Sequence, residues 1–413
     1  MKPEAIYQHR KAMIALFILS LVLRLFAMWI VPAPHLSTNA VTAYLGGAQL
    51  ILEGEGFKDP LYPVFTPPLY AVVIAFGSYV FGNEQVPIKL FQIVLDSITS
   101  VMVYVIVREL IGSSVGIFSA IGWAVYPFSI YATLYIGSEA MFTFLLSLFV
   151  LLALRIVQNP QSWKLYSSAG MVLGFATLTR GTTQFLPVFL LLGLLVAYRH
   201  LPKGVMQGCM IFLLSYGVIL CPWAVRNYLV LHEFVPVATG GSVLLQGASD
   251  EFLTIENKKH YEKYFEQLEA RGLHVPSNED GPVAMDRFFI RAGLESYKMR
   301  LEQDPLSIVP FMAMKFGRLW YSTESGNNER IILFINGLIY VAAVMGSWVA
   351  WVRHRQYLAI LGPGILYFIL LHWLTLPLFR YMLPVMPFII ALAGLGITES
   401  LETYGRKSQV LVS

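Results

Sequence analysis

Residues 331–352 read IILFINGLIYVAAVMGSWVAWV, a stretch without one charged side chain, closed on either side by Arg330 and Arg353. A helix of about 20 apolar residues spans roughly 30 Å of hydrocarbon with its backbone hydrogen bonds satisfied internally. Runs of the same kind recur at 12–31, 88–107, 115–131, 140–153, 167–178, 185–197, 205–225, 357–376 and 381–397. Together they predict an all-α polytopic membrane protein of about ten transmembrane helices. Composition agrees: of 413 residues 56% are hydrophobic and 13% charged, too little polar surface to cover a water-soluble globule.

The first run follows Lys2, Arg10 and Lys11 but contains Arg24 and has no small-residue cleavage site, so it reads as a span rather than a leader. Cys209 and Cys221, the two cysteines, both sit in an apolar run and imply neither a disulfide framework nor a thiolate metal site. A net charge of +4 gives no nucleic-acid signal. P-loop, dinucleotide and zinc patterns are lacking, and the His and acidic spacing supports no metal site by itself.

Short cytoplasmic loops collect Lys and Arg. If the apolar piece at 68–81 does not span, then Arg108, Arg155, Lys164, Arg199, Lys203, Arg353, Arg355, Arg406 and Lys407 all fall on the side of the N-terminus. That reading makes 68–81 an interfacial or re-entrant helix. It puts both termini in the cytoplasm of a cell whose inner membrane holds the chain. Two long segments, 32–87 and 226–330, then face outward. The second has helical patterns at 255–271 and 282–303, and 305–321 mixes apolar residues with Lys315 and Arg318 as a surface helix would. The chain divides into an N-terminal transmembrane module with the first external loop (1–225), an extracytoplasmic helical segment (226–330) and C-terminal spans with a short tail (331–413).

Chemistry should therefore lie on the outer face. There the first segment carries LSTNAVTAY at 36–44, GEGF at 54–57 and TPPLY at 66–70. Later come Ser138-Glu139 opening a helix, GFATLTR at 174–180, PWAVRNY at 222–228, Gly240-Gly241 ahead of Gly247, and RYMLP at 380–384. Arg180, Arg226 and Arg380 stand at outer ends of spans, suited either to bidentate phosphate binding or to snorkelling toward headgroups. Arg24 is deep in the first span, with Asp96 as a candidate structural partner. Trp223, Trp320, Tyr321 and Trp373 read as interfacial anchors.

The order and spacing of these pieces resemble the GT-C membrane glycosyltransferases, in particular the bacterial relatives of protein O-mannosyltransferases and aminoarabinose transferases. The resemblance implies transfer of a sugar from a polyprenyl-phosphate donor to a glycan, lipid or protein acceptor outside the membrane. It also implies membrane lipids as partners and leaves a divalent metal open. Donor-phosphate binding would fall to Arg380, Tyr381, Arg226 and Arg180, and the loop and acceptor cavity to Tyr44 and Tyr70. One position departs from the pattern: the catalytic Asp expected four residues before the Tyr is Ala40 here. Glu139 is the best remaining acid, with Asn39 and His35 as weaker catalytic candidates near the gap. Two other readings stay open, a non-catalytic relative that binds lipid-linked sugar and a transporter of lipid-linked glycans. Against the transporter stands the absence of an internal hydropathy repeat.

Overall fold

The computed structural model describes residues 3–31, 39–57, 66–82, 85–197, 202–238, 240–249, 261–277 and 280–412. No strand occurs among them. Seven helices are long and apolar enough to cross a membrane: Gln8–Ile30, Gln85–Leu110, Glu139–Gln158, Lys203–Leu231, Glu329–Arg353, Arg355–Leu374 and Phe379–Glu402. The other three expected spans are shorter helices, Ser113–Ala124, Trp163–Thr179 and Leu186–Ala197.

In chain order the elements are α1 (Pro3–Ile30), α2 (Asn39–Leu52), α3 (Leu69–Phe81), α4 (Gln85–Leu110), α5 (Ser113–Ala124), α6 (Pro127–Ala132) and α7 (Glu139–Gln158). Then come α8 (Trp163–Thr179), α9 (Leu186–Ala197), α10 (Lys203–Leu231), α11 (Gly241–Ala248), α12 (Tyr261–Ala270), α13 (Gly281–Gln303) and α14 (Ile308–Arg318). The chain closes with α15 (Glu329–Arg353), α16 (Arg355–Leu374), α17 (Phe379–Met382) and α18 (Met386–Val412).

The continuous span expected at 115–131 is broken into α5 and α6. Tyr126 is extended and Pro127 opens α6 at its first turn, because proline has no N–H to continue the α5 ladder. A similar break at Leu383–Val385, carrying Pro384, separates α17 from α18. Pro363 and Pro222, by contrast, lie inside continuous helices.

Helix α18 is the centre of the bundle. The apolar window of its span is 83% buried, against 22% for α15. The two touch backbone to backbone: a Cβ on Gly346 would fall 1.8 Å from the Leu392 carbonyl oxygen, and one on Gly396 2.3 Å from that of Ala342. Small residues permit such an approach in lipid, where packing rather than water exclusion drives association. The outward side of α15 carries exposed Phe334, Val344 and Trp348, as expected where hydrocarbon is the solvent.

The segment between α10 and α15 packs on itself. Leu245, Tyr264, Leu268, Phe288, Ala292 and Met299 form a small separate core. Gly241 donates its backbone N–H to Asp286 at 2.9 Å, joining α11 to α13. Of the helix expected at 255–271, the part from Tyr261 to Ala270 is helical, and 255–260 lie outside the described residues. Surface helix α14 follows a short turn at Pro305–Ser307.

Candidate functional site

Glu139 is the first residue of α7, where the partial positive charge of a helix N-terminus favours a carboxylate. Arg180 caps α8 in an extended conformation. Their side chains meet in a buried ion pair, Nη1 donating to Oε1 at 2.8 Å. The Arg180 guanidinium also lies 5.5 Å from the Tyr381 ring centre and 6.0 Å from that of Phe142.

Arg380 comes from α17, the short turn between α16 and α18. It sits 5.0 Å from the Tyr381 ring, pairs with Glu324 at 2.9 Å, and has a buried Nε without a hydrogen-bond partner among the described residues. Tyr381 is thus flanked by two guanidiniums. His372, in the last turn of α16, stacks on the same ring at 4.9 Å and 16°. Neither imidazole nitrogen of this buried histidine has a described partner, an expensive state for polar atoms away from water.

The segment that carries α2 and α3 reaches this cluster through two tyrosines. Tyr44 of α2 donates to the Ser138 hydroxyl at 3.1 Å, next in chain to Glu139, and packs edge-on to Tyr70 of α3 at 5.0 Å. Tyr70 donates to the Gln92 amide oxygen. The Gln92 Nε2 donates in turn to the Tyr135 and Thr133 carbonyls at 2.8 and 3.3 Å, holding the turn that precedes Glu139. Burial pushes the Tyr44 hydroxyl above its ordinary range. Burial and then the charge of Glu139 push Tyr70 and Tyr135 well above theirs. All three remain hydrogen-bond donors at neutral pH.

The structure therefore gathers Glu139, Arg180, Arg380, Tyr381, Tyr44 and Tyr70 of the sequence-derived candidates. Arg226 is engaged elsewhere, donating to the Phe57 carbonyl at 2.6 Å and to Asn227 at 3.0 Å and lying 4.9 Å from the Trp223 ring. It secures the glycine turn that ends α2. Trp223, expected as an interfacial anchor, is buried and donates to the Val237 carbonyl at 2.8 Å. Asn39 opens α2, though its side chain and the whole of His35 lie outside the described residues. No group of three or more His, Cys, Asp or Glu side chains placed to hold a metal is found among the described residues. His372, Glu324 and Gln92 are the site residues that the sequence did not mark. Gln92 and His372 are polar residues inside apolar runs, and that is the one signal they carried.

A family model described as dolichyl-phosphate-mannose-protein mannosyltransferase matches residues 66–225. No curated protein matches the sequence. Among solved structures, the oligosaccharyltransferase of Archaeoglobus fulgidus in its apo form superposes with a TM-score of 0.59 at 14% identity, over 98% of this chain and 52% of that one. The same enzyme, AglB, in complex with an inhibitory peptide and a dolichol-phosphate gives 0.58 at 12% identity, with the same coverage. ArnT from Cupriavidus metallidurans in the apo state gives 0.43 at 16% identity, over 93% of this chain and 76% of that one. This chain spans about half the length of the archaeal oligosaccharyltransferase. The family match lies over the loop helix, α4, α7 and the Arg180 turn, and the superposition covers nearly the whole chain: its fold is that of the membrane part of the archaeal oligosaccharyltransferase it superposes on, and part of its sequence is similar to the mannosyltransferase family model.

Proposed function

We propose that this protein transfers a glycosyl unit from a polyprenyl-phosphate donor to an acceptor on the outer side of the cytoplasmic membrane, with both termini inside. One observation carries the reading. A buried acid–arginine pair, a second arginine with an unsatisfied buried Nε, and an unpartnered histidine surround one tyrosine at the foot of the first external loop. Guanidiniums that are rigidly held and partly dry suit a phosphate that gains charge as a sugar leaves.

In this mechanism the donor phosphate docks on Arg180 and Arg380. The acceptor oxygen attacks the anomeric carbon, the bond from that carbon to the phosphate oxygen breaks, and the polyprenyl phosphate departs with the electron pair. As the phosphate takes over the Arg180 guanidinium, Glu139 is released to accept the acceptor's proton. The dolichol-phosphate named for the archaeal structure supports a lipid-phosphate donor, and the basic loops at the opposite ends of the spans support outward positions for Arg180 and Arg380.

The departure at Ala40 favours a second reading, in which the chain binds a lipid-linked sugar without transferring it. Incubation of membranes that hold the protein and their endogenous acceptors with a polyprenyl phosphate bearing a radiolabelled sugar, with donor binding measured on the purified protein, tests both. Loss of label from the lipid, abolished by combined Arg180→Met and Arg380→Met, is expected. Tight binding without label loss supports the second reading, and no binding at all refutes both.

A further inference from the structure

Arg380 and Tyr381 owe their positions to a short connector, Thr375 to Leu378, that leaves α16 just after His372. The last carbonyls of a helix lack an intrahelical donor, and that of Leu374 is filled from the external segment. Tyr297 of α13 donates its hydroxyl to it at 2.7 Å, and Lys315 of α14 donates from Nζ at 3.1 Å. Lys315 also donates to the Tyr297 hydroxyl at 2.5 Å, so the three groups close a ring.

The contacts around that ring all bind the same piece of chain. Trp373 donates its indole N–H to the Met312 carbonyl of α14 at 2.7 Å. Gly247 of α11 lies so close that a Cβ there would fall 1.9 Å from the Thr375 carbonyl oxygen. Leu376 and Leu378 pack with Phe311 of α14, with Tyr297 and Tyr381 at the edge of the same cluster. Past the connector, Phe379 donates its N–H to the Ser322 carbonyl at 2.9 Å. Three helices of the external segment thus hold the connector directly before Arg380 and Tyr381.

Lys315 is wholly buried, and its hydrogen bonds among the described residues go to this connector and to Tyr297. A buried ammonium is expensive unless its donors are used, and surface-helix anchoring would be served equally by an apolar residue. We propose that Lys315 and Tyr297 are positioning residues for the donor-phosphate site, setting Arg380 and Tyr381 through the Leu374 carbonyl so that the external segment governs donor affinity. The proposal rests on the reading of that site as a lipid-phosphate site.

The test measures binding of a short-chain polyprenyl phosphate, with inorganic phosphate as a separate arm, to the full-length protein in detergent. Wild type, Lys315→Met, Tyr297→Phe, Arg380→Lys and the double variant Lys315→Met/Arg380→Lys are compared, with thermal unfolding recorded for each. Lys315→Met is expected to weaken lipid-phosphate binding roughly three- to thirtyfold, and Tyr297→Phe by less. The double variant should lose less than the product of the two single losses, because both changes disable one guanidinium position. A merely structural lysine would lower the unfolding temperature and combine multiplicatively with Arg380→Lys.

If Lys315→Met does not fold, Tyr297→Phe carries the same cycle with Arg380→Lys. Wild-type binding that weakens in Arg380→Lys but is unchanged in Lys315→Met and Tyr297→Phe overturns the positioning role and leaves the site reading intact. Inorganic phosphate bound as tightly as the lipid, or no binding by wild type, removes the lipid-phosphate reading and the inference with it.

Discussion

Arg24 of α1 and Asp96 of α4 form a buried ion pair in which the guanidinium Nε donates to Oδ2 at 2.6 Å. Its remaining donors go to the Ser20 hydroxyl at 2.6 Å, the Ser20 and Ala124 carbonyls at 3.1 and 3.0 Å, and the Ser129 hydroxyl at 3.0 Å. Every edge of the guanidinium is used, which leaves none for a ligand. The pair joins α1 and α4 to the α5–α6 break, so its role is structural.

Removing one partner of such a pair strands the other in a dry interior, at a loss of about 3–5 kcal/mol. Asp96→Ala and Arg24→Met are each expected to lower thermal stability in detergent sharply. Asp96→Leu combined with Arg24→Met should recover a large part of the loss, since two apolar residues leave nothing unpaired. Single and double variants that lose stability additively would contradict this account.

The same residues show how far the sequence could be read. Charges inside apolar runs or at their ends stand out, so Arg24 and Asp96 within runs and Glu139 and Arg180 at run ends are visible, and the Arg24–Asp96 pairing can be named as a candidate. Hydropathy averages over single residues, so the break at Tyr126–Pro127 was hidden within one apolar run although the proline was in plain view. Glu324 was an unremarkable loop acid, because its meeting with Arg380 is set by tertiary packing. Arg226 had the right residue type at the right end of a span, yet a backbone carbonyl from a turn far away in sequence claims it. Motif matching finds residue types and order. It does not find which donors are already taken.

His372 turns on that distinction. Two unpartnered nitrogens destabilise the ligand-free protein, and an unmade hydrogen bond of this kind costs about 1–3 kcal/mol. Phe at this position keeps the stack on Tyr381 and removes both polar atoms. His372→Phe is therefore expected to raise the unfolding temperature of the ligand-free protein while weakening lipid-phosphate binding about tenfold, and His372→Gln should restore part of that binding. A variant that is both less stable and fully competent to bind would show that the imidazole serves packing alone.

Lys315 makes stability depend on pH. Burial lowers its pKa from the ordinary 10.5 to about 7. Tyr297, its contact, is pushed up to about 12 by burial and keeps its proton throughout this range. Arg300 shares the Phe311 ring with Lys315 and is the other charged group that faces it there. Between pH 7 and 10.5 the unfolded chain binds the extra proton, so stability rises with pH across that window, by a few kcal/mol in order of magnitude, and is flat below it. Chemical denaturation at pH 7 and pH 9 should show a higher midpoint at pH 9, and Lys315→Met should remove the difference. A wild-type midpoint that falls between those values would show that another group dominates.

The missing carboxylate decides between the enzyme and the binding protein. Ala40 is the second residue of α2, one helical turn before Tyr44, and residues four apart share a helix face. Tyr44 donates to Ser138, the neighbour of Glu139, and so ties this first part of α2 to the Glu139–Arg180 pair. If Glu139 is the proton acceptor, Glu139→Gln should reduce sugar transfer by about 10²- to 10⁴-fold. Donor binding should change far less, because the glutamine carbonyl still accepts from Arg180. Ala40→Asp placed in that variant should then return part of the transfer, a recovery that a purely structural Glu139 would not permit. Side-by-side assays of label release for wild type, Glu139→Gln, Ala40→Asp and the double variant separate the outcomes. Transfer undiminished in Glu139→Gln removes the carboxylate from the chemistry. Transfer absent in wild type but present in Ala40→Asp identifies a binding protein whose fold still holds an active site, one residue short of the base.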